Sequence, residues 1–116
     1  MMLPMNLRVF LALGATDMRK SINGLCLWVQ MQMQLDPFVG HLFGFCNRRR
    51  NMVKILYWDR NGFCLWQKRL ERQRFVWPES QEHVLSLDGS QLHWLLEGAD
   101  LRYYQRHDAL HFSLTG

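Results

Sequence analysis

The amino-acid sequence predicts an α+β fold, in which an antiparallel β-meander of about four to five strands carries one long and one short helix. Three observations lead to this prediction. Apolar residues recur at helical spacing over residues 18–34, a strong hairpin signal stands between two strand-like segments, and a capping box precedes a second helical stretch. The length of 116 residues is typical of one domain, which we place at residues 1–104, followed by an irregular C-terminal tail at 105–116.

The N-terminal part of the chain predicts a short strand followed by the long helix. Residues 8–13 are mostly apolar and end at a glycine, as is typical of a strand. Thr16 and Asp17 then offer an N-cap for a helix over residues 18–34. The apolar stripe of this helix consists of Met18, Ile22, Leu25, Cys26, Val29 and Met33.

The central part of the chain predicts the meander. Its strands are expected at residues 41–46, 52–59, 63–71 and 74–77. Asn61-Gly62 is typical of a type I′ hairpin turn, and with these residues at the centre of the turn Lys54 lies opposite Arg69. One sheet face then carries Val53, Ile55, Tyr57, Trp66 and Leu70, and the other carries Lys54, Arg69, Leu56, Gln67, Trp58 and Leu65.

The C-terminal part predicts one more strand and the short helix. Residues 84–87 are expected to be extended. Asp88, with Gln91 three residues later, forms a capping box ahead of a helix near residues 89–97, which Gly98 ends. The apolar face of this helix consists of Leu92, Leu95 and Leu96.

Positive charge is concentrated in the predicted meander. The chain carries 14 Lys and Arg against 10 Asp and Glu, a net charge of +4. Residues 41–77 hold nine of these basic residues and two of the acidic ones, so the rest of the chain is mildly acidic. A basic segment of this kind either forms a solvated face or binds a polyanion such as nucleic acid.

The meander brings the basic residues to one end of the sheet. The turns at residues 47–51 and 72–73 lie at the same end, and Lys54 opposite Arg69 adds a like-charge pair that costs stability. An anion relieves this repulsion, so we predict that this end binds DNA phosphates. The predicted DNA-binding residues are Arg48, Arg49, Arg50, Lys54, Lys68, Arg69, Arg72 and Arg74.

Two alternatives to DNA binding need other residues. A protein–protein adaptor would dock on a partner protein or a second copy through Leu56, Trp58 and Leu65 on the mixed face, with arginines as interface anchors. A metal-dependent nuclease would need several carboxylates together. Its candidates are Asp17, Asp36, Asp59 and Glu71, each of which also has a simple structural explanation.

Other motifs of catalysis are missing from the sequence. No phosphate-binding glycine loop, nucleophile elbow or Cys/His signature is present, and His107 and His111 stand four apart without a helical pattern. We therefore expect no enzymatic activity, no metal site and no cofactor. Three cysteines without a framework spacing indicate a reducing compartment, so we expect a cytoplasmic protein that does not enter a membrane.

Five blocks of sequence carry a resemblance to a known family. They read GATDMRKSINGL at 14–25, DPF with GHLF at 36–43, KILYWD at 54–59, GFCLW with KRLE at 62–71, and RFVWP at 74–78. In this order they are similar to the TnpB-type accessory proteins encoded by the second reading frame of insertion sequence 66 transposons, which are distinct from the RNA-guided nuclease that shares the TnpB label. The likeness runs from about residue 7 to 104, although Gln73 stands where that family usually has glycine.

This resemblance implies a role in transposition beside a separate, larger transposase, and it supplies no catalytic residues. The partners it implies are the transposase and other proteins of the transposon. Together with the charge argument, it predicts a non-enzymatic accessory protein that binds DNA, with the adaptor as the alternative. A homo-oligomer is compatible with the sequence.

Overall fold

Five strands and two helices make up the part of the chain that the structure describes, residues 7–104 of a computed structural model. The strands are β1 (Val9–Ala12), β2 (Leu42–Cys46), β3 (Met52–Asp59), β4 (Gly62–Arg69) and β5 (Val84–Leu87). The helices are α1 (Ile22–Met31) and α2 (Gly89–Leu96), followed by a 3-10 helix at Leu101–Tyr103. The strands form one sheet in the order β4-β3-β2-β1-β5. The predicted tail, 105–116, lies outside the described residues.

The sheet is mixed, so the prediction of an entirely antiparallel meander is wrong while the α+β class is confirmed. β1 and β2 run parallel, with Val9 beside Leu42 and Leu11 beside Gly44. The pairs β2–β3, β3–β4 and β1–β5 are antiparallel. Parallel neighbours need a crossover of a dozen residues or more, usually a helix, and α1 lies in this connection. The strand–helix–strand order was therefore the signal that the sequence prediction left unused.

α1 begins later than predicted, because its N-cap is Ser21 and not Asp17. The Ser21 hydroxyl accepts a hydrogen bond from the Gly24 amide at 3.4 Å. Asp17 instead accepts from the Arg19 amide at 2.9 Å, and the buried Thr16 donates its amide to the Cys46 carbonyl at 2.8 Å. The six predicted stripe residues do pack in the cluster between α1 and the sheet, but Met18 and Met33 lie outside α1, which is shorter than predicted at both ends.

We expect Gly24→Ala to raise the free energy of unfolding by about 0.5–1 kcal/mol, because glycine is a poor helix former. Gly24 lies inside α1, and an added Cβ would meet Lys20 Cβ at 3.5 Å, an ordinary contact. Urea denaturation measures the change. Gly98→Ala is the control with the opposite sign, because Gly98 has φ +91° and an added Cβ would lie 3.0 Å from Gln73 Oε1. A destabilised Gly24→Ala would contradict this description of α1.

Each face of the sheet has its own apolar core, and the two helices cover opposite faces. On the α1 face, Leu25 and Val29 pack against Phe43, Phe45 and Leu56. On the α2 face, the three leucines of α2 pack in a cluster with side chains of β1, β2 and β3. The predicted division of β3 and β4 is confirmed, because Val53, Ile55, Tyr57, Trp66 and Leu70 all belong to the α2-face cluster.

The predicted register of the β3–β4 hairpin is wrong by two residues. Asp59 pairs with Gly62, so the turn residues are Arg60 and Asn61, and Arg60 takes the positive φ of 53°. Gly62 is the first residue of β4. Since the register moves by an even number of residues, every side chain keeps its predicted face. Lys54 now lies opposite Gln67 and not opposite Arg69, so the like-charge pair is absent.

The strand predicted at residues 74–77 is also wrong, because the chain leaves the sheet after β4 and packs on the α2 face. Phe75 and Trp77 are buried there, and the Trp77 indole donates to the Ala12 carbonyl at 3.0 Å. Gly44 lies under this ring and makes room for Leu11, since an added Cβ would lie 2.7 Å from Leu11 Cδ2 and at an ordinary contact distance of 3.5 Å from the Trp77 ring. Burying two large aromatic rings stabilises the fold more than a short additional edge strand would.

The C-terminal elements are confirmed. β5 spans the residues predicted to be extended, and α2 has both hydrogen bonds of the capping box between Asp88 and Gln91, at 2.8 and 3.0 Å. Gly98 ends the helical segment with φ +91°. Within residues 7–104, no helix has the length and apolar character needed to cross a membrane.

Candidate nucleic-acid interface

The turn between β2 and β3, residues 47–51, presents three consecutive arginines at one end of the sheet. The Asn47 side chain holds its backbone, accepting from the amides of Asn51 at 3.0 Å and Met52 at 3.1 Å. Its amide group also donates to Asn51 Oδ1 at 2.7 Å. We call this segment the arginine turn. Its hydrogen bonds hold the backbone so that Arg48 and Arg49 project into solvent from a fixed base.

The chain that follows β4 lies beside the arginine turn. The Leu70 amide donates to the Asn51 carbonyl at 2.8 Å, and the Phe75 amide donates to the Arg50 carbonyl at 2.6 Å. Arg72 and Arg74 lie between Leu70 and Phe75, so these two hydrogen bonds bring them next to Arg49. A surface groove of about 480 Å³ results, which we call the arginine groove. Its lining residues are Arg49, Asn51, Leu70, Glu71, Arg72, Gln73 and Arg74.

Four of the eight predicted DNA-binding residues have neither a carboxylate partner nor a side-chain hydrogen bond within residues 7–104. They are Arg48, Arg49, Arg72 and Arg74. All four side chains are exposed. Three of them line the arginine groove, and Arg48 lies on the other side of the arginine turn, in a notch with Gly14 and Ala15. Their guanidinium groups therefore face solvent at the same end of the sheet.

The two other arginines of the prediction are paired with glutamates. Arg50, half-buried, donates to the Trp77 carbonyl at 2.7 Å and to Glu79 at 2.5 Å. Arg69 donates to Glu71 at 3.0 Å. Arg50 thus fastens the segment that carries Trp77 to the arginine turn. The positive charge of both arginines is offset locally.

The two lysines of the prediction bind backbone carbonyls on opposite faces of the sheet. The Lys54 ammonium donates to the Met18 carbonyl at 2.6 Å, on the α1 side. The Lys68 ammonium donates to the Leu96 carbonyl at 2.8 Å, at the C-terminus of α2, where a cation is favoured by the helix dipole. The fold uses Lys54 to hold the segment before α1 and Lys68 to hold the end of α2, so the predicted convergence applies to the four unpaired arginines.

The thiol nearest the arginine turn does not neutralise it. Burial raises the pKa of Cys46 to about 11, although Arg50 and the Asn47 amide favour the thiolate. Asp17 is likewise committed elsewhere, since its hydrogen bonds from Arg19 lower the pKa of its carboxyl. Among residues 7–104, the only carboxylate that lines the arginine groove is that of Glu71, which already binds Arg69.

The carboxylates of the nuclease alternative are not brought together. Asp17 binds Arg19, Glu71 binds Arg69, and Asp59 lies beside Arg60 in the turn at the opposite end of β3. Among residues 7–104 there is no group of three or more His, Cys, Asp or Glu placed to hold a metal ion. His107 and His111 lie outside the described residues.

The docking face predicted for an adaptor is partly covered by the fold. Leu56 is fully buried under α1, and Leu65 is half-buried at its edge. The Trp58 ring packs against Phe38 at 5.1 Å and Phe63 at 4.9 Å. Sequence reasoning missed the supporting role of Asn47, for which an Asx residue at the start of a turn was the available signal.

Comparisons with known proteins match this chain over nearly all of its described length. A family model described as IS66 Orf2-like protein matches residues 7–106. The uncharacterized protein y4hO of Sinorhizobium fredii (strain NBRC 101917 / NGR234) is 42% identical over 100 residues, covering 86% of this chain and 87% of y4hO. The uncharacterized protein y4jC of the same strain is 31% identical over 94 residues, covering 81% and 80%. No solved structure matches this chain.

Proposed function

Because the chain belongs to the IS66 Orf2-like family of transposition-associated accessory proteins, we propose that it serves transposition by binding DNA phosphates. The contacts are made by the arginine turn and the arginine groove. The observation that carries the proposal is that Arg49, Arg72 and Arg74 line one groove without carboxylate partners of their own within residues 7–104. Transposition acts on DNA, so the process in which the family takes part supplies a polyanion that these arginines can bind.

Electrostatics supports a phosphate ligand at this end of the molecule. Guanidinium groups held close together repel one another, and a bound anion converts this repulsion into attraction. Arginine presents a planar fork of donors that matches two phosphate oxygens at once. The fold stabilises the segment through Phe75 and Trp77 and leaves the arginines between β4 and this anchor in solvent.

The shape of the surface favours a chain of phosphates over a single small anion. The arginine groove is shallow and open, and Arg48 lies beyond it on the far side of the arginine turn. Contacts to phosphate position a protein on DNA and carry no sequence information directly. The proposal therefore covers affinity for the backbone, and base recognition is no part of it.

The test is a salt titration of binding to duplex DNA, followed by fluorescence anisotropy. With four phosphates neutralised, the logarithm of affinity should fall with the logarithm of salt concentration at a slope of about −3.6. The affinity should then drop about 150-fold when salt rises from about 50 to about 200 mM. A duplex with the terminal inverted repeat and a scrambled duplex should give the same slope. A slope near zero, or no binding at low salt, would refute the proposal.

An adaptor role without DNA contact is the second candidate. The observation that favours it is the outer side of α1, where Leu27 and Met31 are each more than half exposed. Capturing the transposase from nuclease-treated extract separates the two functions. Capture that persists without DNA, and that Leu27→Ser with Met31→Ser abolishes, would support the adaptor, whereas loss of capture on nuclease treatment supports the DNA-binding proposal.

A further inference from the structure

β4 forms one outer edge of the sheet and has the features of a strand that accepts a partner. It has eight residues, against four in β5 at the other edge. It pairs with β3 in continuous register from Asp59–Gly62 to Met52–Arg69. Natural sheets protect their edges by prolines, bulges, charges or short strands. From Gly62 to Gln67 the edge carries no proline and no charge.

The hydrogen bonds along β4 show which residues face outward. The Leu70 amide donates to the Asn51 carbonyl, so residue 70 points toward β3. In an antiparallel pair this direction alternates, so Gly62, Cys64, Trp66 and Lys68 also bond to β3. The four residues between and after them, Phe63, Leu65, Gln67 and Arg69, direct their backbone N–H and C=O groups away from β3. Within residues 7–104 these groups have no backbone partner.

We propose that β4 pairs with β4 of a second copy of this chain, so that two sheets join into one continuous antiparallel sheet. A two-fold axis perpendicular to the sheet relates the copies, since most homodimers are closed in this way. Directly opposed residues then lie on the same sheet face, so the two residue numbers of each opposed pair sum to an even number. If the two-fold axis passes beside Trp66, the backbone groups of all four outward residues find hydrogen-bond partners on the second copy. If the axis passes beside Leu65, Arg69 lies opposite Asn61 of the turn.

The side chains of β4 are complementary to themselves in this register. Trp66 meets Trp66 of the second copy on the α2 face, in a pair without mutual hydrogen bonds, where side chains lie closest. On the α1 face, Arg69 lies opposite Phe63 of the second copy, a cation beside an aromatic ring. Phe63 is already part of an aromatic cluster with Phe38 and Trp58, which extends the apolar surface to the edge.

Charge also favours a second copy in this orientation. The basic end of β4 holds Lys68 and Arg69 and lies beside the arginine groove, whereas at the other end the exposed Asp59 lies 4.0 Å from Arg60, so that the two charges offset each other. Antiparallel pairing places each basic end beside this neutral end of the other copy. The two arginine grooves are thereby kept apart, which limits repulsion between copies.

Sedimentation equilibrium of the full chain tests the dimer. The mass should rise with concentration to twice the 13.9 kDa of one chain. Gln67→Pro removes an outward N–H while leaving the bonds to β3, and it should raise the dimer dissociation constant by about tenfold or more. Gln67→Ala shortens the same exposed side chain and keeps the N–H, so its dissociation constant should match the wild type. A monomer at every concentration would overturn the proposal.

Hydrogen exchange of the wild-type chain keeps the test decisive if the proline variant fails to fold. The amides of Phe63, Leu65, Gln67 and Arg69 should exchange rapidly in dilute protein and become protected as concentration rises. The amides of Cys64, Trp66 and Lys68 should be protected throughout, because they bond to β3. Concentration-dependent protection at any other surface, with the outward amides of β4 still exposed, would assign the dimer elsewhere and overturn the proposal.

Discussion

Replacing Arg72 and Arg74 together by glutamine should lower the affinity for duplex DNA about 100-fold at low salt, because two charge-assisted hydrogen bonds to phosphate are lost. Both residues line the arginine groove and are exposed, so the fold should remain intact. With two phosphate contacts left, the salt slope should fall from about −3.6 to about −1.8. A fourfold rise in salt would then reduce affinity about 12-fold in the variant. Anisotropy titrations at several salt concentrations measure both quantities.

The matched control is Arg8→Gln with Arg60→Gln, which removes the same amount of positive charge from the opposite end of the sheet. Arg8 lies at the start of β1, where its carbonyl accepts from the Leu42 amide, and Arg60 lies in the β3–β4 turn. This double variant should keep the wild-type salt slope. If both double variants weaken binding equally, the net charge of the protein is responsible and the arginine groove is the wrong site.

Trp77→Ala should lower the free energy of unfolding by about 3–5 kcal/mol, the range found for removing a large buried ring. Trp77 is 3% exposed, lies over Gly44, and donates its indole N–H to the Ala12 carbonyl of β1. The alanine variant loses the ring contacts and leaves that carbonyl without its donor. Thermal and urea denaturation measure the loss, which is large against the total stability of a small domain.

Trp77→Phe separates the two contributions of this side chain. Phenylalanine keeps an aromatic ring at this position but lacks the indole N–H. The free energy of unfolding should therefore fall by about 1–3 kcal/mol, less than in the alanine variant. Both variants should also weaken DNA binding at temperatures where they remain folded. The reason is that Trp77 anchors the segment that carries Arg72 and Arg74. Unchanged DNA affinity in a folded Trp77→Ala variant would show that this anchor does not position the arginines.

Local signals in the sequence predicted the elements of this fold and the faces they bury. The stripe of Ile22, Leu25, Cys26 and Val29 on α1, the capping box at Asp88 and the split of β3 and β4 into two faces all rest on spacings within one segment. Such spacings act through neighbours three or four residues apart in a helix and two apart in a strand. They remain valid whatever the rest of the chain does.

Local sequence preferences did not decide the hairpin register or the path of residues 70–83. In both cases, pairing or packing with distant parts of the chain opposes the local preference. Asn61-Gly62 is a good turn by itself, yet the pairing of β3 with β4 places Arg60 and Asn61 in the turn. Residues 74–77 have the composition of a strand, yet Phe75 and Trp77 bury more surface by packing on the sheet. Tertiary packing decides such cases because it outweighs the small local preferences of a turn or a strand.

The sequence by itself determined an α+β chain with a basic central segment and the family to which it belongs. Only the tertiary structure decided that β1 and β2 run parallel, that Lys54 binds the Met18 carbonyl and Lys68 the end of α2, and which arginines have no carboxylate partner within residues 7–104. Composition counts charges, but the partner of each charge depends on which residues distant in sequence become neighbours. Arg50 meets Glu79 across 29 positions for this reason, while Arg72 and Arg74 remain in solvent.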